Sequence, residues 1–150
     1  MWILAFAAVG SPQQALQKDY PVQPVPFTAV QVSDGFWAPR IEVNRAVTIP
    51  FAFEQCERNG RMYNFERAAA VLRGETITDK KPPGYPFDDT DPYKVIEGAS
   101  YTLAVKPDPK LEGYIDGLIA KIAAAQEPDG YLQTAFTLPR LRRDGSLEPS

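Results

Sequence analysis

Two short segments of this sequence carry side chains suited to chemistry. The first holds Asp88, Asp89 and Asp91, with Glu97 further along. Neighbouring carboxylates can bind sugar hydroxyls or serve as acid/base groups. At a helix start they can instead satisfy free backbone N–H groups and lie favourably in the helix dipole. Asp91 therefore reads either as a cap or as a sugar-binding or acid/base group at the mouth of a helical barrel. Glu97 alone reads as solvated or interhelical. The second segment is AAAQEPDGYLQT, residues 123–134, with Gln126, Asp129, Gly130 and Tyr131. Glutamine offers a carbonyl and an amide to hydroxyls, aspartate an acceptor, and tyrosine a stacking face. The same residues also make an ordinary turn, in which glycine tolerates positive φ and aspartate folds onto its own backbone. Both readings stand at this point. Phe36 and Trp37 read as core anchors or as walls of a substrate groove. The one cysteine, Cys56, reads as an inert small hydrophobe in a helix, and it excludes an internal disulfide. The chain has no histidine. That excludes Ser–His and Cys–His nucleophilic pairs and any imidazole-ligated zinc within it.

The elements that must position these groups are helical. Asp91-Pro92 and Asp108-Pro109 are repeated helix starts, since aspartate caps and proline suits the first helical position. After the first, Val95, Ile96, Ala99, Thr102 and Leu103 share a face. After the second, Leu111, Tyr114, Ile115, Leu118, Ile119 and Ile122 make a strong amphipathic stripe, which Pro128-Asp129-Gly130 stops. With about four residues between them, the two helices form an antiparallel hairpin. Upstream, Ser33-Asp34-Gly35 is a turn. A helix spans about 39–58, kinked or split at Pro50 and ended by Asn59-Gly60. Residues 65–72 form a short helix and 73–85 a loop. Residues 131–137 read as a short extended segment.

Composition narrows the function classes. A formal charge of −3 and the lack of a basic stripe argue against nucleic-acid binding. The hydrophobic share of 44% argues against global disorder. Residues 1–9, MWILAFAAV, are too few to span a bilayer. Residues 1–17 read as a signal peptide, which places the protein outside the cell or in the periplasm. The proline-rich residues 18–27 read as an extended linker. Residues 138–150 read as a loop without a closing element, as in a chain cut short.

Three stretches resemble the N-terminal third of glycoside hydrolase family 127, the β-L-arabinofuranosidases: FWAPRIEVNRAVTIPFAFEQCERNGRMYNFERAA, FDDTDPYKVIEGASYTLA and LIAKIAAAQEPDGYLQT. The resemblance covers roughly 27–137. The middle stretch is similar to the family's Asp-Ser-Asp, hydrophobe, Tyr-Lys-Trp pattern, with Pro92 in place of the hydrophobe and Val95 in place of tryptophan. The last is similar to Ala-Gln-x-x-Asp-Gly-Tyr-Leu-Asn-Thr, with Gln133 in place of asparagine.

The resemblance implies an all-α fold, here an incomplete (α/α)6 barrel of antiparallel helical hairpins. Residues 28–150 would be the N-terminal portion of the catalytic domain. It also implies β-sandwich modules after the barrel and retaining hydrolysis of non-reducing terminal β-L-arabinofuranosides in oligosaccharides or glycans. In the family a cysteine thiolate is the nucleophile, held near zinc by further cysteines and a glutamate, with a glutamate as acid/base. Those residues, and a His-Glu-Leu-Tyr element expected soon after Thr137, are not in this chain. Cys56 is therefore not the nucleophile, no catalytic residue or metal ligand is assigned here, and zinc is expected only in the full-length member. What carries over is substrate binding by Asp89, Asp91, Gln126, Asp129 and Tyr131. The chain alone is expected to be inactive and poorly stable. Two other readings remain: another (α/α)-barrel carbohydrate enzyme, such as an unsaturated-uronyl hydrolase or a lyase, or a non-catalytic helical binding remnant.

Overall fold

The computed structural model describes residues 22–78 and 85–139, and all the described regular structure is helical. The signal-peptide reading and much of the 73–85 and 138–150 loop readings lie outside the described residues. Two units separate at Val30. In the first, the described residues are extended except for a 3-10 turn at Phe27–Ala29. The second carries helices α1 (Trp37–Val43), α2 (Ile49–Arg58), α3 (Arg61–Leu72), α4 (Thr90–Val105), α5 (Pro109–Ala124) and the single turn α6 (Thr134–Thr137).

Asp34 starts α1. Its carboxylate accepts the N–H groups of Phe36 (2.7 Å) and Trp37. The bond from Trp37 is the main reason its carboxyl is held below the usual range. The helix thus begins two residues before the expected Pro39. It is not split at Pro50 either. The wider π turn at Asn44–Thr48 carries it from α1 into α2. Pro50 cannot donate to the carbonyl one turn back, and its ring crowds that carbonyl. In the wider turn the Ile49 N–H bonds to Asn44 O, five residues back, and the chain continues helically. Gly60 then turns the chain into α3 with φ of +77°, a conformation that L side chains rarely adopt.

Two apolar clusters hold the helices together. Ile49, Phe53 and Cys56 of α2 meet Met62, Ala99, Ile115 and Leu118, with Val95, Ile96, Leu103 and Leu111 at the margin. Phe65, Ala68 and Ala69 of α3 meet Ala125 and Leu138, with Tyr93, Ile122 and Leu132 alongside. Helix α3 sits at the junction, touching α2, α4, α5 and α6. The α4–α5 hairpin is present, joined by the three residues 106–108. At the second helix start Asp108 caps as expected, accepting from Lys110 N (3.1 Å) and Leu111 N (3.2 Å).

Two expectations are corrected. Helix α4 begins at Thr90, so Asp91 lies inside its first turn and is not the cap. Residues 131–137 are not an extended segment. Only 131–133 lack regular structure, and Thr134–Thr137 coils into α6.

Candidate functional site

The two chemistry-bearing segments come together at the start of α4 and the start of α6. Asp89 is buried, and its carboxylate joins them. Its Oδ2 accepts the Thr134 N–H at 2.7 Å and its Oδ1 accepts the Thr134 hydroxyl at 2.6 Å. No side chain from Gln133 caps α6. The N-terminal amide of that turn is satisfied instead by a carboxylate 45 residues earlier. Gln133 adds a second tie, its Nε2 donating to Pro86 O at 2.7 Å. Buried charge-assisted bonds of this kind are among the stronger ones in a protein.

Gln126, Asp129 and Tyr131 share one closed turn. Gln126 Nε2 donates to Gly130 O (2.9 Å), and Asp129 Oδ1 accepts the Tyr131 N–H (2.9 Å). The backbone closes the turn from Glu127 N to Tyr131 O at 2.8 Å, and Gly130 takes φ of +93°. The turn reading of these residues is thus realised, and all three stay exposed. The Tyr131 hydroxyl reaches Gln133 Oε1 at 3.4 Å and leaves one edge of the ring held and a large part of its surface open. The Thr137 hydroxyl donates to Glu127 Oε1 at 2.8 Å, tying α6 back to the turn.

Asp91 is placed differently. It pairs with Arg61 Nε at 2.8 Å and Lys94 Nζ at 3.5 Å. Arg61 also reaches Asp88 Oδ1 through Nη2 at 3.3 Å. Its Nε–H and the Asp88 Oδ1 lie at ion-pair distance without hydrogen-bond alignment. Asp88 Oδ2 accepts the Tyr85 N–H at 3.0 Å. Arg61 is thus the cation between two of the three aspartates. It was not apparent in the sequence, because it begins α3, about 30 positions before the acidic cluster.

A second feature the sequence reading missed is an aromatic pair. The rings of Tyr85 and Phe87 stack with centroids 5.1 Å apart and planes 3° apart, and both are well exposed. Their alternate spacing around Pro86 was the available signal. On α4 the Tyr93 ring packs by Phe65, and its hydroxyl is buried with no hydrogen-bond partner. Burial, and secondarily the Asp89 charge, push that phenol up to about 12. Glu97 lies exposed on α4, outside this group.

The remaining candidates lie elsewhere. Cys56 is buried in the α2 cluster, and burial pushes its thiol up, as suits an inert hydrophobe. Phe36 and Trp37 are exposed, which corrects the core-anchor reading. They pack edge to face on each other at 4.9 Å, with the Arg40 guanidinium 3.6 Å from the Phe36 ring centre. An open cleft of about 470 Å³ between α2 and the start of α5 is lined by Pro50, Phe53, Glu57, Leu111 and Tyr114 among others, and shares none of the candidate residues. Among the described residues no three His, Cys, Asp or Glu side chains are grouped so as to hold a metal. The zinc that the resemblance implies does not fit them. No described helix is long and apolar enough to cross a membrane.

Comparison with known proteins identifies relatives of the chain. The family model for the β-L-arabinofuranosidase GH127 catalytic domain matches residues 29–147. A non-reducing end β-L-arabinofuranosidase of Bifidobacterium longum subsp. longum is 46% identical over 68 residues, 45% of this chain and 10% of that protein. Among solved structures, the GH127 β-arabinofuranosidase BT3674 superposes with a TM-score of 0.71 at 54% identity, covering 79% of this chain and 18% of that one. Ara127N-Se, a GH127 β-L-arabinofuranosidase from Geobacillus stearothermophilus T6, superposes with a TM-score of 0.61 at 32% identity, covering 71% and 17%. The chain thus spans less than a fifth of each relative. Its all-helical hairpins are part of the (α/α)6 barrel fold of these enzymes. By sequence and by fold, the chain belongs to the catalytic-domain family of GH127 β-L-arabinofuranosidases.

Proposed function

We propose that this chain supplies one wall of a glycan site in a glycoside hydrolase that removes non-reducing terminal β-L-arabinofuranosyl units. The observation that carries the reading is the Asp89–Thr134 clamp, which joins the two segments of family-like sequence across 45 positions. The clamp sets Tyr131, Asp129 and Gln126 on a turn whose every bend is hydrogen-bonded, so these groups are held before a ligand arrives. Preorganisation of that kind lowers the cost of binding. The exposed Tyr131, Tyr85 and Phe87 rings give faces on which the C–H side of a sugar can stack, and Asp129 and Gln126 give acceptors and a donor for its hydroxyls.

In this reading Asp89 and the Arg61–Asp91 pair position the wall rather than perform chemistry. A retaining glycosidase needs a nucleophile and an acid/base on either side of the scissile bond. We assign neither to this chain, and zinc ligation likewise to residues outside it. Export is part of the same proposal, supported by the apolar residues 1–9.

The test is to splice residues 29–147 into BT3674 in place of the matching stretch and to assay arabinose release from a terminal β-L-arabinofuranoside. The spliced enzyme should turn over. Tyr131→Ala and Asp129→Ala should raise its KM about tenfold, the loss of roughly 1.4 kcal/mol of binding each. Turnover by the 150-residue chain alone, or indifference of KM to both changes, would refute the assignment.

A further inference from the structure

Gln133 uses both ends of its side-chain amide. Its Nε2 donates to Pro86 O at 2.7 Å, and its Oε1 accepts the Tyr131 hydroxyl at 3.4 Å. Pro86 lies between Tyr85 and Phe87, whose rings stack in parallel. One side chain therefore ties the Tyr131 ring to a ring pair from a distant segment. The backbone under the pair is fixed independently. Asp88 Oδ2 accepts the Tyr85 N–H at 3.0 Å, and Tyr85 O accepts the Asp88 N–H at 3.0 Å. Phe87 O accepts the Thr90 N–H at 3.1 Å and the Thr90 hydroxyl at 2.7 Å. Local bonds thus hold the shape of this turn, and Gln133 sets its place beside Tyr131. Tyr85 and Phe87 are nevertheless 69% and 59% exposed, and neither enters the two apolar clusters. An ordered apolar patch left open to water marks a recognition surface.

We propose that Gln133 is a positioning residue that makes Tyr131 and the Tyr85–Phe87 pair one surface, and that this surface takes the sugar to which the terminal arabinosyl unit is attached. The proposal deepens the glycan-wall reading and rests on it. The openness of the ring pair selects the second sugar over the first. A site encloses most of the surface of the small group that it holds. Rings more than half exposed do not enclose, and they suit the part of a glycan that projects beyond the cleavage pocket. The amide fits the task. Pro86 O needs a donor and the Tyr131 hydroxyl needs an acceptor, and one planar amide supplies both at a fixed separation. Without it the ring pair keeps its own turn and loses its register with Tyr131.

The test is kinetic and uses the BT3674 chain carrying residues 29–147 of this protein. Two substrates are compared: methyl β-L-arabinofuranoside, which has no second sugar, and a β-L-arabinofuranosyl disaccharide. Gln133→Leu, close in size but without the amide, should raise the disaccharide KM relative to that of the methyl glycoside about fivefold, with kcat changed less than about twofold. Phe87→Ala should move the ratio in the same sense, and adding Gln133→Leu to it should move the ratio little further, because the two changes act on one surface. A lower thermal midpoint and kcat with the ratio unchanged would show a structural role alone and overturn the proposal. Equal rises in KM for both substrates would also overturn it, since the rings would then meet the terminal unit. Tyr131→Ala separates this proposal from the reading beneath it. If Tyr131→Ala raises KM while Gln133→Leu leaves the ratio unchanged, the wall stands and the role of Gln133 falls. If neither changes KM, the wall itself falls and the proposal with it. Should the larger splice fail to fold, a graft of residues 85–91 and 126–137 alone into BT3674 carries the same comparison.

Discussion

Replacing Asp89 should weaken this chain more than replacing any other aspartate among the described residues. Asp89→Ala leaves two buried groups without their acceptor, the Thr134 N–H at 2.7 Å and the Thr134 hydroxyl at 2.6 Å. An unsatisfied buried donor costs about 1–3 kcal/mol, although the hydroxyl can turn toward another acceptor. The sum expected is about 2–4 kcal/mol, or a fall in midpoint of roughly 6–12 °C at this chain length. Asp89→Asn retains one acceptor and loses the charge, so about 1–1.5 kcal/mol is expected. Urea unfolding followed by circular dichroism measures both. Hydrogen exchange locates the effect, because the Thr134 amide should lose protection in Asp89→Ala before amides of α5 do. Thr134→Val completes a double-mutant cycle, with a coupling near 1–2 kcal/mol expected for partners in direct contact. If Asp89→Ala lies within about 0.5 kcal/mol of the parent, or if the two changes add without coupling, the clamp does not hold the two segments together.

Four further outcomes follow from the structure. Gly130→Ala should destabilise by about 1–2 kcal/mol, because φ of +93° strains any L side chain although the space around it is open. Tyr93→Phe should be neutral or stabilising by up to about 1 kcal/mol, since it deletes a buried hydroxyl with no partner. In the parent the raised phenol pKa leaves stability unchanged below about pH 10 and lowers it as pH rises from about 10 through 12, so urea midpoints should fall over that range while ultraviolet titration follows the ionisation. Glu42 is held down to about 2, first by its bond with Arg45 and further by Lys106. Its contribution should be complete above the ordinary carboxylate value near 4.5 and disappear as pH falls through about 2, and carboxyl NMR should place its midpoint there.

The helices were legible where the deciding partner is close in sequence. Asp108 shows this, since its carboxylate meets amides two and three residues on and Pro109 follows in the first turn. Asp91-Pro92 offers the same pair of letters, yet Asp91 is drawn to Arg61, which local sequence does not place nearby. Residues 131–137 fail for the same reason. Nothing adjacent caps Thr134, and the carboxylate that does so arrives from the start of another helix. The stripe from Leu111 to Ile122 predicted α5, but Ile115 and Leu118 alone are fully buried, and Ile119 stays about half exposed. Periodicity gives the direction of an apolar face and not the width that its neighbours cover. The candidate residues were read as one sugar-binding group. The structure divides them into a buried clamp, an ion pair and an exposed turn, a division that depends on distances rather than residue types.

The π turn at Asn44–Thr48 has a consequence for how length changes are tolerated here. Each residue added to or removed from a helix turns everything beyond it by about 100°. Deleting one residue from 44–48 would restore a plain α-helical ladder locally and look innocuous in a drawing of the backbone. It would also swing Ile49, Phe53 and Cys56 away from Met62, Ala99, Ile115 and Leu118, and bring the Pro50 ring hard against an ordinary turn. The wide turn therefore acts as a phase adjuster between two stretches of helix. Point substitutions within it should be absorbed far more readily than any change in its length.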